Sequence, residues 1–291
     1  MMQLWRIFVW FFFFLGSTKG EGCNGSPALC DQKYSNVSQI GTHDSAFVGE
    51  LPSDNQELSV TDQLNRGIRM LQAQTHDLVG QIQMCHTSCI LLNAGSLLSY
   101  LTTIRTWMDA NPNEVVTLLL TNQDAIDIAK YNSVFVRADL DKYTFKPKTR
   151  LAIDDWPTLQ ELITANTRLV VFMDYHADTT RVPYILDEFQ YFSETSYEVT
   201  DENFPSCDID RPSGSTENLM LIVNHMLHID IFGIMIPDRE NLGRTNAATG
   251  PGSIGAQVDV CKRKWGRKSR LVLVDFFDTG DVFTAQTNLN S

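Results

Sequence analysis

The sequence predicts an α/β fold, a distorted β/α barrel of the TIM type, and three observations lead to this prediction. Short apolar runs of strand length alternate along the chain with longer amphipathic stretches. Several runs are continuously apolar, as strands are when helices cover both faces of a parallel sheet. The chain has 291 residues, and barrels of this type use about 250 residues as one unit. An open doubly wound sheet also fits the alternation, but a count of about seven or eight strands favours the barrel.

The first 20 residues have the pattern of a signal peptide. One basic residue precedes an unbroken apolar run at 7–15, and small residues follow it. The run is shorter than the roughly 20 residues that a membrane span needs, and an uncleaved N-terminal anchor is the alternative. We therefore expect a secreted, extracellular protein in which residues 21–291 form a single domain.

Seven apolar runs are predicted to be strands and three amphipathic stretches to be helices. The strands are predicted at 37–40, 68–73, 81–84, 115–120, 168–173, 231–236 and 271–276. The helices are predicted at 96–109, 157–166 and 217–229, each with apolar residues at one-face spacing. Ser96 can serve as an N-cap, and Pro157 fits the first turn of a helix.

Six cysteines remain after the leader, which in an exported protein predicts disulfides. Six cysteines allow 15 pairings; nearness in sequence favours Cys23 with Cys30, Cys85 with Cys89, and Cys207 with Cys261. A metal site formed by Cys85, Cys89 and His86 is the alternative, although a second cysteine pair nearby is missing from the sequence. Two sequons, at Asn24 and Asn36, fit a secreted glycoprotein.

The charge balance is strongly acidic and narrows the range of partners. The formal net charge is −12, and loss of Arg6 and Lys19 with the leader leaves 21 basic against 35 acidic residues, or −14. Nucleic acid is therefore excluded as a partner, and contact with a membrane surface must be local and transient. The basic run at 262–268 is the candidate for that contact, and a solvated loop before a strand is its alternative. We expect a monomer.

Polar residues follow the predicted strands at positions where a barrel would carry its reactive groups, because these come from the carboxyl ends of different strands. They are His43 and Asp44, Gln72 and Gln74, His86, Asn122 and Asp124, Asp174 and Tyr175, and Asp275 and Asp278. The two histidines are the most informative members of this set. Histidine titrates near neutral pH, so one neutral and one protonated ring can divide the base and acid work of cleaving a phosphodiester.

Several motifs together resemble a known family. They are Gly41-Thr42-His43-Asp44-Ser45, the stretches at 63–69 and 111–116, Cys85-His86, and Val274-Asp275-Phe276. This combination is similar to the phosphatidylinositol-specific phospholipase C superfamily, and most similar to its secreted, fungal-type branch of phospholipase C-like phosphodiesterases. The resemblance covers about residues 30–290.

The resemblance implies a distorted barrel that cleaves a phosphodiester with two histidines. His43 would take the proton from the inositol 2-hydroxyl, which attacks phosphorus to form a cyclic phosphate, and His86 would protonate the departing lipid alkoxide. Asp44 would orient the substrate hydroxyl, and Asp275 would hold His43 in its tautomer. A bell-shaped pH profile with limbs near pH 5 to 7.5 would follow, and no cofactor is implied.

The sequence departs from this pattern after the second strand. Bacterial relatives carry an acidic residue and an arginine there, and metal-dependent relatives carry two carboxylates, whereas this chain has Gln72 and Gln74. Neutral amides weaken a calcium site, so a metal-independent reaction is expected. Arg69 is predicted to lie on the opposite strand face and to form a salt bridge outside the site.

Three functions remain open on these residues. The leading hypothesis is a phosphoric diester hydrolase acting on a phospholipid or glycolipid head group, which would contact Gln72, Gln74, Asn122, Asp174 and Tyr175. The second is a barrel that binds a polyol head group without turnover. The third is a metal-dependent hydrolase built on Asp44, Asp124, Asp174 and Asp275.

Overall fold

The structure, a computed structural model, describes residues 22–291, and the predicted signal peptide lies outside these residues. Its strands are β1 (Gln39–Thr42), β2 (Met70–Leu78), β3 (Gln81–His86), β4 (Leu92–Ser96), β5 (Val116–Thr121), β6 (Leu169–Met173), β7 (Ile185–Asp187), β8 (Phe192–Thr195), β9 (Ile209–Arg211), β10 (Met220–Asn224), β11 (His228–Ile231), β12 (Ile234–Pro237) and β13 (Leu271–Val274). Its helices are α1 (Val60–Asn65), α2 (Leu97–Ala110), α3 (Ile128–Arg137), α4 (Leu159–Thr164), α5 (Leu242–Thr245), α6 (Ile254–Trp265) and α7 (Val282–Asn290). Across the described residues, no helix is both long and apolar enough to cross a membrane.

Eight parallel strands form a barrel that is open on one side. Their order in the sheet is β7-β6-β5-β2-β1-β13-β10-β8, and β9 adds to β8 in antiparallel orientation. This is the chain order of a β/α barrel, but within residues 22–291 β7 and β8 do not pair, so the ring does not close. The prediction of an α/β fold with a distorted TIM-type barrel is confirmed.

The strands are apolar on both faces because each packs against two cores. In β5, Leu118 and Leu120 belong to the core beneath the helices, whereas Leu119 belongs to the core inside the barrel. Side chains alternate between the faces of a strand, so a strand buried on both faces reads as a continuous apolar run. This confirms the pattern from which the parallel sheet was predicted.

The strand predicted at 81–84 lies outside the barrel. The run at 81–84 falls in β3, which pairs antiparallel with the outer end of β2, from Thr75 opposite Met84 to Leu78 opposite Gln81. β4 then pairs antiparallel with β3. This three-stranded extension carries the last residue of β3, His86, back toward the barrel opening.

The helices predicted at 96–109 and 157–166 are confirmed as α2 and α4. The Ser96 side chain caps α2 by accepting a hydrogen bond from the Ser99 backbone N–H. In α4 the cap is Thr158, which forms a reciprocal capping box with Glu161. Pro157 therefore precedes the helix and does not lie in its first turn.

The helix predicted at 217–229 is wrong, because this segment contains β10. All five residues of β10 are buried, with Leu221 and Val223 in the outer core and Ile222 in the barrel core. A short run that is buried on both sides fits helical spacing as well as strand spacing. The β-branched residues Ile222 and Val223 favour the strand.

The strand predicted at 231–236 is a hairpin of two strands. β11 and β12 pair antiparallel around Phe232 and Gly233, with Ile231 opposite Ile234. Both turn residues have positive φ, 54° and 83°, which is the geometry of a two-residue turn that matches strand twist. The apolar character of Phe232 concealed this turn in the sequence.

The basic run at 262–268 is neither a free loop nor a feature of the barrel opening. Lys262 and Lys264 lie in the last turn of α6, which Gly266 ends in the left-handed conformation. Arg267 donates to the carbonyl oxygens of Thr216 and Leu219. Because α6 leads into the amino end of β13, the run lies at the opposite end of the barrel from the carboxyl ends of the strands.

All three predicted disulfides are present: Cys23–Cys30, Cys85–Cys89 and Cys207–Cys261. The alternative of a metal site at Cys85 and Cys89 is therefore wrong.

The two sequons differ in their surroundings. The Asn24 amide both donates to and accepts from the Val115 backbone, whereas the Asn36 side chain is exposed, so glycosylation stays a prediction for Asn36.

Replacement of Phe172 by alanine is expected to lower the free energy of unfolding by about 3–5 kcal/mol, because it leaves a cavity in the core. Phe172 is buried in the barrel, where it contacts the rings of Trp156, Tyr191 and Phe192. Denaturant unfolding measures this loss. The control Val136→Ala removes an exposed side chain of α3 and should change stability by less than about 0.5 kcal/mol. Equal effects of the two substitutions would contradict the packing described here.

Candidate active site

His43 and Asp275 are brought together by the register of two neighbouring strands. Thr42 of β1 lies opposite Val274 of β13, so the next residue of each strand lies at the same level of the barrel opening. His43 Nδ1 is 2.8 Å from Asp275 Oδ1, and the Asn55 amide donates to the same oxygen at 3.1 Å. The carboxylate accepts from Nδ1–H, which leaves Nε2 as the reactive nitrogen of His43.

Asp44 lies between the two histidines. Its Oδ2 is 3.4 Å from His43 Nε2 and 3.3 Å from His86 Nε2, and its side chain is fully buried. The residue has a φ of 46°, in the left-handed region that non-glycine residues seldom adopt. The chain therefore accepts local strain at the point where one carboxylate contacts both imidazoles.

Gln72 and Gln74 hold Asp44 in this position. The Asp44 backbone N–H donates to Gln72 Oε1 at 2.7 Å, and Gln74 Nε2 donates to Asp44 Oδ2 at 2.9 Å. Gln74 Oε1 also accepts from the backbone N–H of Thr87, next to His86. Gln74 thus connects the two histidine loops, whereas Gln72 contacts only the loop of Asp44.

The pKa of His43 is raised to about 9 by this arrangement. Burial alone would lower it, but the carboxylates of Asp44 and Asp275 raise it by more. The pKa of Asp44 is lowered, because the His43 and His86 rings outweigh the effect of its burial. At neutral pH the resting site therefore contains a His43 imidazolium beside an Asp44 carboxylate. The limb of the pH profile that reports loss of the His43 proton therefore lies above the expected range of pH 5 to 7.5.

A cavity adjoins His43 and is lined by residues that the sequence reading missed. Arg211 Nη2 is 2.6 Å from Glu194 Oε1, and the guanidinium lies 5.0 Å from the centre of the Tyr197 ring. Asn224 Nδ2 donates to Glu194 Oε2 at 2.9 Å. A glutamate inside the buried strand β8 was a signal that could have been noticed, whereas Arg211 lies in a three-residue strand with no recognisable pattern.

Three carboxyl groups in this cavity have raised pKa values. Burial is the main cause for Glu188, Glu194 and Asp174, and the charge of Glu194 raises the pKa of Glu188 further. Arg211 acts in the opposite direction on all three. The cavity thus combines carboxyl oxygens that accept hydrogen bonds with one guanidinium that donates them.

The residues predicted to bind substrate have different surroundings. Gln72, Gln74 and Asp174 line the cavity. The Asn122 side chain donates to and accepts from the Ile126 backbone, and its backbone N–H donates to Asp174, so it shapes a loop. Tyr175 lies beside the cavity, with its hydroxyl 3.2 Å from Arg211 Nη1.

The remaining charged candidates lie elsewhere. Asp124 Oδ1 lies 3.0 Å from His76 Nδ1. Arg69 pairs with Glu114 at 2.7 Å, as predicted for a salt bridge outside the site. Between residues 22 and 291 there is no cluster of three or more His, Cys, Asp or Glu side chains arranged to hold a metal ion.

Comparisons with known proteins show the family to which the chain is similar. The family model described as PI-PLC X 1 matches residues 29–290. The chain is 54% identical over 271 residues to "PI-PLC X domain-containing protein 1" of Arthroderma benhamiae, covering 92% of this chain and 89% of that protein. It is 44% identical to an "Uncharacterized secreted protein" of the same organism, covering 91% of this chain but only 62% of that protein.

Solved structures share the fold at low sequence identity. A phosphatidylinositol-specific phospholipase C from Listeria monocytogenes is 16% identical with a TM-score of 0.58, covering 90% of this chain and 95% of that one. A mutant of the Staphylococcus aureus enzyme of that name is 12% identical with a TM-score of 0.61, at the same coverage. Because the sequence identity is so low, these two similarities show a shared fold and nothing more.

Replacement of Asp275 by asparagine is expected to lower the pKa of His43 from about 9. The substitution removes a carboxylate that raises this pKa and leaves a neutral group of the same shape. Titration of the His43 ring by NMR measures the change directly. Asp124→Asn, which removes the partner of His76, is the matched control and should leave the His43 titration unchanged. An unaltered His43 titration in Asp275→Asn would contradict the described pairing.

Proposed function

Because the chain belongs to the PI-PLC X domain family, we propose that it is a secreted, metal-independent phosphoric diester hydrolase that cleaves a phosphatidylinositol-like phospholipid or glycolipid. The single observation that carries the proposal is the Asp44 carboxylate, which lies within 3.4 Å of both His43 Nε2 and His86 Nε2. Two imidazoles that contact one carboxylate face the same small space. A phosphodiester in that space can meet a base on one side and an acid on the other.

In the proposed reaction, His43 takes a proton from a head-group hydroxyl as that oxygen attacks phosphorus. The bond from phosphorus to the lipid oxygen breaks, and His86 gives a proton to the departing alkoxide, which leaves a cyclic phosphate. Asp275 accepts from His43 Nδ1–H and keeps Nε2 directed at the hydroxyl. Because the pKa of His43 is about 9, the ring must first lose its proton, so the base is most abundant at alkaline pH.

The cavity next to His43 is the proposed site for the head group. Hydroxyls of a polyol ring donate to carboxyl oxygens, and Glu188, Glu194 and Asp174 supply such acceptors. Arg211 supplies a cation where Gln72 and Gln74 do not. The two amides hold Asp44 between the histidines, and this favours a working enzyme over the alternative of a head-group-binding barrel without turnover.

Membrane contact is proposed for the rim of the barrel opening. Nearly all the large apolar side chains that are exposed within residues 22–291 lie in loops and hairpins that follow the carboxyl ends of barrel strands. The members of this apolar rim are Val48, Leu51, Leu78, Val79, Ile90, Leu91, Ile229, Ile231, Phe232 and Ile234. Exposed apolar patches of this kind mark interaction surfaces. A lipid surface fits because the rim surrounds the opening through which a lipid head group would enter.

The hairpin β11–β12 is the most exposed part of the apolar rim. Phe232 at its tip is fully exposed, and Ile231 and Ile234 flank it. The hairpin begins at His228. Burial lowers the pKa of this histidine, and the nearby Asp275 carboxylate raises it by less. With a net charge of −14 after loss of the leader, the protein is repelled by anionic lipid, so the proposed contact depends on apolar insertion. The basic run at 262–268 lies at the other end of the barrel.

Both His43→Ala and His86→Ala are expected to lower head-group release from phosphatidylinositol vesicles by about 10²–10⁴-fold, because each removes one proton-transfer group. Chelators should leave wild-type release unchanged. The control His76→Ala removes a histidine outside the cavity and should retain activity. No release by folded wild-type protein would favour the binding barrel, and release that chelators abolish would favour a metal-dependent hydrolase.

Phe232→Ala is expected to weaken binding to phosphatidylcholine vesicles about tenfold or more, because full burial of such a side chain is worth about 1.5–3 kcal/mol. Sedimentation of the protein with vesicles measures this effect, and added salt should change it little. Val136→Ala, on α3 away from the apolar rim, is the control. Cleavage of a soluble short-chain substrate should be equal in all three proteins. Unchanged vesicle binding by Phe232→Ala would overturn the proposed contact.

A further inference from the structure

His86 lies within a ring of five residues that a disulfide closes. The bond joins Cys85 to Cys89, and the ring contains His86, Thr87 and Ser88. Cys85 is fully buried at the end of β3, whereas Cys89 is half-buried. His86 is therefore held on one side by a β-strand and on the other by a covalent bond.

The ring is attached to the rest of the site at few points. The Thr87 backbone N–H donates to Gln74 Oε1 at 3.1 Å, and Thr87 has a φ of 59°, which is unfavourable for a β-branched residue. The ring of Phe47 lies 5.3 Å from the His86 ring, centre to centre. The turn also has backbone hydrogen bonds, from the Ser88 N–H to the His86 carbonyl and from the Leu91 and Leu92 N–H groups to the Ser88 carbonyl. The disulfide therefore adds a covalent restraint to a turn that is already hydrogen-bonded.

The other two disulfides have a different relation to the site. Cys23–Cys30 lies near the amino end of β5, where Asn24 pairs with Val115. Cys207–Cys261 joins segments 54 residues apart. Loop-closure entropy grows with the number of enclosed residues, so the ring around His86 restrains the unfolded chain least of the three. Its effect on the folded protein is local.

We propose that the Cys85–Cys89 disulfide is a positioning element for the acid step, which fixes His86 Nε2 against Asp44 and toward the departing oxygen. The inference rests on the proposed function, in which His86 is the general acid. A displacement of about 1 Å at a reacting group can cost about 10²-fold in rate. The disulfide is thus expected to act on the rate of bond breaking and not on head-group binding.

The test uses two leaving groups, because a poor one needs protonation and a good one does not. Cys85→Ala/Cys89→Ala is expected to lower kcat about 10²-fold on phosphatidylinositol, whose leaving group is an alkoxide. On a nitrophenyl phosphodiester of inositol, kcat should fall less than about threefold, because nitrophenolate departs unprotonated. KM should stay unchanged on both substrates. Cys23→Ala/Cys30→Ala is the matched control and should resemble wild type on both.

Each other outcome has a definite meaning. Equal losses on both substrates would overturn the proposal, because the disulfide would then serve general integrity. Wild-type rates on both substrates would also overturn it. The acid role of His86 would still hold in that case if His86→Ala lowered the rate only on phosphatidylinositol, whose leaving group is an alkoxide. If His86→Ala has no such selectivity, the proposed function fails and not merely the role of the disulfide. Cys85→Val/Cys89→Ala, which refills the buried position, replaces the first variant if that one does not fold.

Discussion

The contact of one buried carboxylate with two imidazoles is the constraint on which the site depends. Asp44 is fully buried, and burial of an unpaired carboxylate is costly. The cost is offset because Asp44 faces the His43 cation and accepts from the Gln74 amide. Removal of either group would leave a buried charge with fewer partners. The ion pair and the amides therefore act together, and the left-handed backbone at Asp44 is tolerated because all of them fix it.

The two histidines reach this carboxylate by different physical routes. His43 is positioned by the barrel itself, because β1 pairs with β13 and the register sets His43 beside Asp275. His86 comes from an antiparallel extension outside the barrel, where no neighbouring parallel strand fixes it. It is held by its pairing with Leu92 of β4, by the bond from the neighbouring Thr87 N–H to Gln74, and by the closed ring between Cys85 and Cys89. His43 is thus held by the topology of the barrel, and His86 is held by local restraints.

These routes explain which features could be predicted from the sequence. Five of the eight parallel strands, namely β1, β2, β5, β6 and β13, were predictable together with the residues at their carboxyl ends, because an apolar run followed by a polar residue is a local signal. The short strands β7 and β8 were not predicted. The strand β10 was mistaken for a helix because burial on both faces removes the alternation that marks a strand. Arg211 and Glu194 could not be paired in advance, since they meet through the short antiparallel contact of β8 and β9, which the sequence pattern does not encode. The Gln74 bridge likewise depends on a loop approach that only the folded chain brings about.

The two ends of the barrel differ in a way that bears on how a lipid could reach the site. At the end opposite the site, Lys262 and Lys264 lie in the last turn of α6, where cations are favourable beside the helix dipole. Their positive charge is therefore accounted for by the fold. Most of the exposed apolar side chains gather at the other end, and four of them, Val48, Leu51, Ile90 and Leu91, lie on the segments that follow His43 and His86. An exposed apolar patch of this size marks an interaction surface, and in the proposed function that surface contacts lipid. In the proposed function this couples access to chemistry, because two of the segments that would contact lipid are continuous with the segments that hold the two imidazoles.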